Sequence, residues 1–152
     1  MHTEAERRKF TAYHEAGHAV VAWTLGHSIK RMTVIPGKDE HFAYAGYTQH
    51  GPVGAVLPQH VADTEFCVLM AGAIVDRITC PDGARDDASG RDLEIADALL
   101  ATGQVTLSPR TLWNQTEDLI HEQWERIDRL AMVLLQVGEL DAENVASVLE
   151  AR

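Results

Sequence analysis

Two histidines and a glutamate near the start of the chain have the types and spacing of a hydrolytic metal centre. The run Tyr13-His14-Glu15-Ala16-Gly17-His18 contains the pattern His-Glu-x-x-His. On a helix, positions i and i+4 lie on one face, so His14 and His18 can bind the same metal ion. Glu15 lies about 100° around the helix and can reach a water molecule on that ion. The pattern predicts a zinc hydrolase with two histidine ligands, a general base and an open coordination position.

The residues that flank this pattern favour a buried site. Phe10, Val21 and Leu25 extend the helical stripe on which both histidines lie, which predicts that the imidazoles face the interior. Two buried imidazoles without a partner would be costly, so a ligand role is favoured over a pair of satisfied core histidines. Gly17 costs about 1 kcal/mol relative to Ala in a helix, and it therefore indicates a close backbone approach beside the site.

The rest of the chain must form the elements that position these residues. Capping residues and apolar periodicity predict five helices: residues 4–25, 58–78, a helix opening at Ser89, residues 109–137 and a short helix capped by Asp141. Alternation and turn residues predict two strands: residues 29–35 and 42–49. The predicted fold is mainly α with a small β-sheet (α+β), and the length suits a single domain over residues 1–152.

Charge and hydropathy narrow the class of protein. The formal net charge of −10 argues against binding to nucleic acid or to anionic membrane surfaces. The longest apolar run, residues 66–75, is far shorter than the roughly 20 residues that span a bilayer, so no membrane segment is expected. Cys67 and Cys80 have no metal-type spacing, which fits a reducing, cytoplasmic location.

The motif helix resembles a known family. Residues Ala12 to Val20 are similar to the motif helix in the peptidase domain of the FtsH family, the membrane-bound ATP-dependent zinc proteases. The short apolar runs exclude the other resemblance, to intramembrane site-2-type proteases, because their motif lies in a membrane helix. Ala71-Gly72-Ala73-Ile74-Val75-Asp76 is similar to the small-residue helix of the FtsH family, which carries an acidic residue at the place of Asp76.

The same resemblance implies the third zinc ligand. Ser89-Gly90-Arg91-Asp92-Leu93 looks like the family segment in which an aspartate before leucine binds zinc, and the match assigns Asp92. A carboxylate is a credible third ligand of a catalytic zinc. Ser89 and Asp92 also have the spacing of a helix-capping pair, and the two roles are compatible. Four other acidic residues compete for the ligand position: Asp76, Asp86, Asp87 and Glu94.

The other histidines show no ligand spacing, and we expect each of them to be a surface or loop residue. They are His2, His27, His41, His50, His60 and His121. Two of these, His41 and His50, flank the predicted strand nearest the active site, so they are the ones whose positions matter most.

The resemblance implies a zinc metalloendopeptidase. The sequence has no Gly-rich phosphate-binding loop, and we expect a free-standing peptidase domain that cleaves flexible or unfolded polypeptides without ATP. The strand at residues 43–48 is expected to hold an extended substrate as an added strand. A non-catalytic, zinc-stabilised adaptor is the alternative from another class. A homo-oligomer, or a ring bound to a separate ATPase chain, is the alternative for the assembly.

Overall fold

The computed structural model describes residues 1–38, 43–52, 58–83, 85 and 88–151. Its helices are α1 (Glu4–Thr24), α2 (Pro58–Thr79), α3 (Gly90–Ala101), α4 (Pro109–Glu122), α5 (Trp124–Val137) and α6 (Ala142–Glu150). Its strands are β1 (His27–Thr33), β2 (Gly37–Lys38), β3 (Ala43–Tyr44), β4 (Tyr47–Pro52) and β5 (Glu139–Asp141). The prediction of a mainly α fold with a small β-sheet is confirmed.

The motif helix α1 is the centre of the fold. A capping box starts it, in which the Thr3 hydroxyl accepts from the Glu6 amide and the Glu6 carboxylate accepts from the Thr3 amide. Every residue from Thr11 to Ala22 is buried, because α1 packs against α2, α5 and β1 at once. Leu25 is 38% exposed, so the predicted apolar stripe ends before it.

The sheet beside α1 has three antiparallel strands in the order β4-β1-β5. The predicted strand at 29–35 begins and ends two residues earlier than expected, and the single strand predicted at 42–49 is wrong. Ala45 and Gly46 separate β3 from β4, which continues through Gly51 to Pro52. A Cβ on Gly46 would lie 2.6 Å from the Thr33 carbonyl oxygen, so only glycine fits where the chain passes β1 between the two strands.

The long helix predicted at 109–137 is also wrong. Gln123, with φ −102° and ψ 15°, divides it into α4 and α5. The break lets α4 pack on α2 while α5 packs on α1, so each helix lies against its own partner. The apolar stripe itself is buried as expected, at Leu112, Ile120, Ile127, Leu130 and Leu134. Among the described residues, the helices are too short or too polar for any of them to traverse a bilayer.

Candidate metal centre and active site

Three ligand atoms converge between α1 and α3. Nε2 of His14 and Nε2 of His18 lie 3.1 Å apart. Oδ2 of Asp92 lies 3.0 Å from Nε2 of His18 and 3.4 Å from Nε2 of His14. The first turn of α3 brings Asp92 to this point, and both histidines are more than nine-tenths buried. The three side chains therefore offer two imidazole nitrogens and one carboxylate oxygen at one position.

These donors fit a zinc ion. Ligands at roughly 2.0–2.1 Å from a tetrahedral ion lie about 3.3 Å from one another, and the three observed separations bracket that value. His14, His18 and Asp92 would hold the ion, and three protein ligands are the number found in catalytic zinc sites that also bind a water molecule. The chemistry fits as well, because two histidines and a carboxylate are a ligand set of catalytic zinc sites.

The Nδ1 atom of each imidazole also has a hydrogen-bond partner. Nδ1 of His14 donates to Oδ2 of Asp76 at 3.0 Å, and Nδ1 of His18 donates to the backbone oxygen of Val68 at 2.6 Å. With Nδ1 protonated, the lone pair of each ring lies on Nε2, which faces the other donors. Both partners come from α2, so this helix sets the orientation of the two rings.

A glycine in α2 makes room for the rings. A Cβ on Gly72 would lie 2.5 Å from Nε2 of His14 and 2.7 Å from Nε2 of His18. On the other side of the same contact, a Cβ on Gly17 would lie 2.6 Å from Cγ2 of Val75. The close backbone approach predicted from Gly17 is therefore present, and it is the crossing of α1 and α2.

Glu15 points into the cleft beside the two imidazoles. The cleft has a volume of about 750 Å³ and is lined by His14, Glu15, His18 and Asp92 together with residues 43–50. The Thr48 hydroxyl of β4 lies 2.7 Å from Oε2 of Glu15 and 3.0 Å from its backbone oxygen, and donates to them. This contact holds the carboxylate between α1 and β4.

The site is electrostatically suited to a positive charge. Burial lowers the pKa of His14, but hydrogen bonds to Asp76 and Asp92 outweigh it and raise that pKa to about 10. Burial raises the pKa of Asp92, yet its hydrogen bonds with His14 and His18 hold that pKa well below the usual range. The surrounding carboxylates therefore favour positive charge at this point, whether it is carried by protons or by a cation.

Two of the acidic residues that compete for the third ligand position, Asp76 and Glu94, lie away from the converging donors. Asp76 binds the Nδ1 side of His14 and receives a hydrogen bond from Nε of Arg85 at 3.4 Å, away from the converging donors. Glu94 is exposed on α3. Asp86 and Asp87 lie outside the described residues. Ser89 precedes α3 but makes no side-chain capping hydrogen bond, so the predicted capping pair of Ser89 and Asp92 is wrong.

The expectation that the remaining histidines are surface or loop residues is wrong for His27 and His50, which lie on β1 and β4. His27 is only 3% exposed, and its Nδ1 lies 2.8 Å from Nδ1 of His50. Spacing along the chain could not reveal this pair, because strand register rather than helical periodicity brings it together. His60 and His121 are exposed as expected, and His41 lies outside the described residues.

Comparisons with known proteins identify the family of this chain. The profile of peptidase family M41 matches residues 1–107, which include the motif helix and Asp92. The ATP-dependent zinc metalloprotease FtsH of Burkholderia pseudomallei (strain 1710b) is 36% identical over 105 residues, which are 64% of this chain and 15% of that protein. The mitochondrial inner membrane m-AAA protease component AFG3L2 of Mus musculus is 34% identical over 92 residues, which are 55% of this chain and 11% of that protein. The chain thus spans a small part of the length of these relatives, and it belongs to peptidase family M41, with an FtsH-type peptidase domain.

Proposed function

We propose that this chain is a zinc metalloendopeptidase in which His14, His18 and Asp92 hold the metal and Glu15 is the general base. The observation that carries the proposal is the convergence of the three donor atoms beside the Glu15 carboxylate in one cleft. Zinc in such a site supplies a Lewis acid that activates water near neutral pH and stabilises negative charge on a carbonyl oxygen. The similarity to proteins named as zinc metalloproteases supports the same reaction.

In this proposal, the Glu15 carboxylate accepts the proton and later donates it. Oε2 of Glu15 accepts from Thr48, which leaves Oε1 to accept the proton of the attacking water. The same carboxyl group then donates that proton to the amine that leaves as the peptide bond breaks. Asp76 and the Val68 carbonyl keep the two imidazoles in the tautomer that presents Nε2.

The substrate in this proposal is an extended polypeptide beside β4. This strand is at an edge of the three-stranded sheet, and its residues line the same cleft as Glu15. A peptide that adds to such an edge is held by backbone hydrogen bonds, so little sequence preference is expected. Only a chain that is already extended can pair in this way, which restricts cleavage to flexible or unfolded polypeptides.

Cleavage by this chain is proposed to be independent of ATP. Unfolding a stable domain costs about 5–15 kcal/mol. The 152 residues contain no Gly-rich phosphate-binding loop through which ATP hydrolysis could provide this free energy. The purified chain should therefore cut an unfolded protein and leave its folded form intact, with or without ATP. Rapid degradation of the folded form without ATP would contradict the proposal. Degradation that requires a cellular extract and ATP would indicate a separate ATPase partner.

The decisive experiment is the Glu15→Gln variant. We expect it to keep its fold and one equivalent of zinc at His14, His18 and Asp92, but to lose at least 100-fold in peptidase activity, because general-base catalysis contributes typically 10²–10⁴-fold. A variant that remains fully active would exclude Glu15 as the base. If the wild type also fails to cut every unfolded substrate, the alternative of a zinc-stabilised adaptor is favoured instead.

The ligand assignment has its own test. Zinc bound per chain should fall in Asp92→Ala and stay near the wild-type value in Glu94→Ala, which changes an exposed acidic residue on the same helix. Retention of the full wild-type zinc content in Asp92→Ala, together with a loss of zinc in Asp76→Ala, would reverse the assignment.

We also propose a location and an assembly for this chain. The support for a reducing, cytoplasmic location is that the 152 residues contain only two cysteines, Cys67 and Cys80, without metal-type spacing. A homo-oligomer is proposed as the alternative to action as a single chain, and light scattering of the purified protein distinguishes the two.

A further inference from the structure

A second set of ligand atoms converges outside the proposed catalytic site. Nδ1 of His27 and Nδ1 of His50 lie 2.8 Å apart. Oε1 of Glu65 lies 3.8 Å from Nδ1 of His27 and 3.9 Å from Nδ1 of His50. The Glu65 oxygen is too far from either ring for a hydrogen bond, yet it faces both nitrogens. Three different elements, β1, β4 and α2, contribute one donor each.

Strand register explains why the two imidazoles meet. His50 on β4 is opposite Ile29 on β1, and His27 is two residues before Ile29. Residues two apart on a strand project from the same face, so His27 and His50 are diagonal neighbours on one face of the antiparallel pair. Packing of α2 then places Glu65 beside this face. Glu65 lies two helical turns, or about 10 Å, before Gly72 of the catalytic site.

The three donors can all reach one transition-metal ion, although their separations of 2.8, 3.8 and 3.9 Å differ from the value of about 3.3 Å in an ideal tetrahedral site. The circle through the three atoms, with separations of 2.8, 3.8 and 3.9 Å, has a radius of about 2.1 Å, and its centre lies inside the triangle they form. This radius equals the usual bond length from zinc to imidazole nitrogen or carboxylate oxygen. Two imidazoles and one carboxylate suit Zn²⁺ and related ions rather than Mg²⁺ or Ca²⁺, which prefer oxygen ligands.

We propose that His27, His50 and Glu65 form a second metal site, which binds a divalent transition-metal ion of the Zn²⁺ type. A bound ion would tie the start of β1 and the edge strand β4 to α2. His50 also lines the cleft that contains Glu15, so this ion fixes the strand at the border of that cleft. The site shares no residue with the proposed catalytic centre, and the two sites bind metal independently.

Metal titration of the chelator-treated full chain tests the proposal. We expect the wild type to bind two equivalents of Co²⁺, counted by elemental analysis and by the visible absorption of the bound ion. His50→Gln and Glu65→Gln should each bind one equivalent. His60→Gln, which changes an exposed histidine on α2, should still bind two and serves as the matched control. Asp92→Ala should lose the other equivalent and keep the one at His27, His50 and Glu65.

Stability provides a second readout. In an Asp92→Ala background, Zn²⁺ should raise the melting temperature, and adding Glu65→Gln should remove that increase. Glu65 is 37% exposed at its side chain, so its replacement tests the site even if changes at the buried His27 prevent folding. Two equivalents retained in both His50→Gln and Glu65→Gln would overturn the proposal. The proposal would also be overturned if the wild type bound one equivalent and both variants kept it. If the wild type bound one equivalent and both variants lost it, the catalytic assignment would be contradicted instead.

Discussion

Oδ2 of Asp76 accepts a hydrogen bond from Nδ1 of His14 at 3.0 Å, and both side chains are more than nine-tenths buried. The aspartate thus lies behind the ring, on the side away from the three converging donors. A carboxylate in this position fixes the ring and makes Nε2 a stronger electron donor. We therefore propose that Asp76 acts through His14, as a positioning residue rather than as a metal ligand.

Asp76→Asn should weaken zinc binding without abolishing it. The amide oxygen can still accept from Nδ1 of His14, but it carries no negative charge, and loss of such partners typically costs 10–100-fold in metal affinity. Competition with a chelator of known affinity measures the change. Asp97→Asn, at an exposed aspartate on α3, is the control and should bind zinc like the wild type. Unchanged affinity in Asp76→Asn would exclude the positioning role.

Gly72→Ala should disrupt the metal centre through a single methyl group. The new Cβ would lie 2.5–2.7 Å from Nε2 of both imidazoles, so at least one ring must leave its position. We expect loss of the zinc equivalent at His14 and His18 and loss of activity, with a helical content close to that of the wild type by circular dichroism. In Gly90→Ala, the added Cβ meets no described atom within 4 Å, so this second glycine change should leave zinc binding intact.

Thr48→Val should lower the rate of catalysis and leave zinc in place. Valine has nearly the same shape but cannot donate to Oε2 of Glu15, and a hydrogen bond to a charged group contributes about 1.5–3 kcal/mol. We therefore expect kcat to fall by roughly 10–100-fold with unchanged zinc content. If kcat is unchanged and only KM rises, Thr48 contributes to substrate binding and does not position Glu15.

Tyr13→Phe should destabilise the fold by about 1 kcal/mol. The Tyr13 hydroxyl donates to Oδ1 of Asp128 and connects α1 with α5, while its ring stacks on Trp124 with centroids 5.9 Å apart. Phenylalanine keeps the stack and removes only the hydrogen bond. Urea denaturation of Tyr13→Phe, Asp128→Ala and the double variant measures the coupling free energy between the two residues. A coupling free energy of zero would show that the hydrogen bond contributes no stability.

The local parts of the site could be predicted from the sequence. His14, Glu15 and His18 are within one turn and a half of helix, so their spacing alone specifies a shared face. Asp92 is 74 residues from His18, and only the resemblance to a family pointed to it. The place of Asp76 behind His14 depends on how α2 crosses α1, which helical periodicity does not specify.

The predictions that were wrong have the same physical cause, because they depend on how distant parts of the chain pack together. The pair of His27 and His50 depends on the register of β1 against β4, and no spacing along the chain encodes that register. The division at Gln123 has no Gly or Pro to mark it, and the apolar stripe continues across it. Ala45 and Gly46 interrupt a stretch with strand composition because the chain passes close to Thr33 there.

The pairing of β1 with β5 has a consequence for the order of folding. It joins Met32 to Leu140, residues 108 positions apart, and α5, which packs on the motif helix, also comes late in the chain. During synthesis, the motif helix leaves the ribosome long before these partners exist, and contacts of such separation form slowly. The motif helix therefore completes its packing only when residues 124–141 have been made, although the similarity to peptidase family M41 ends at residue 107.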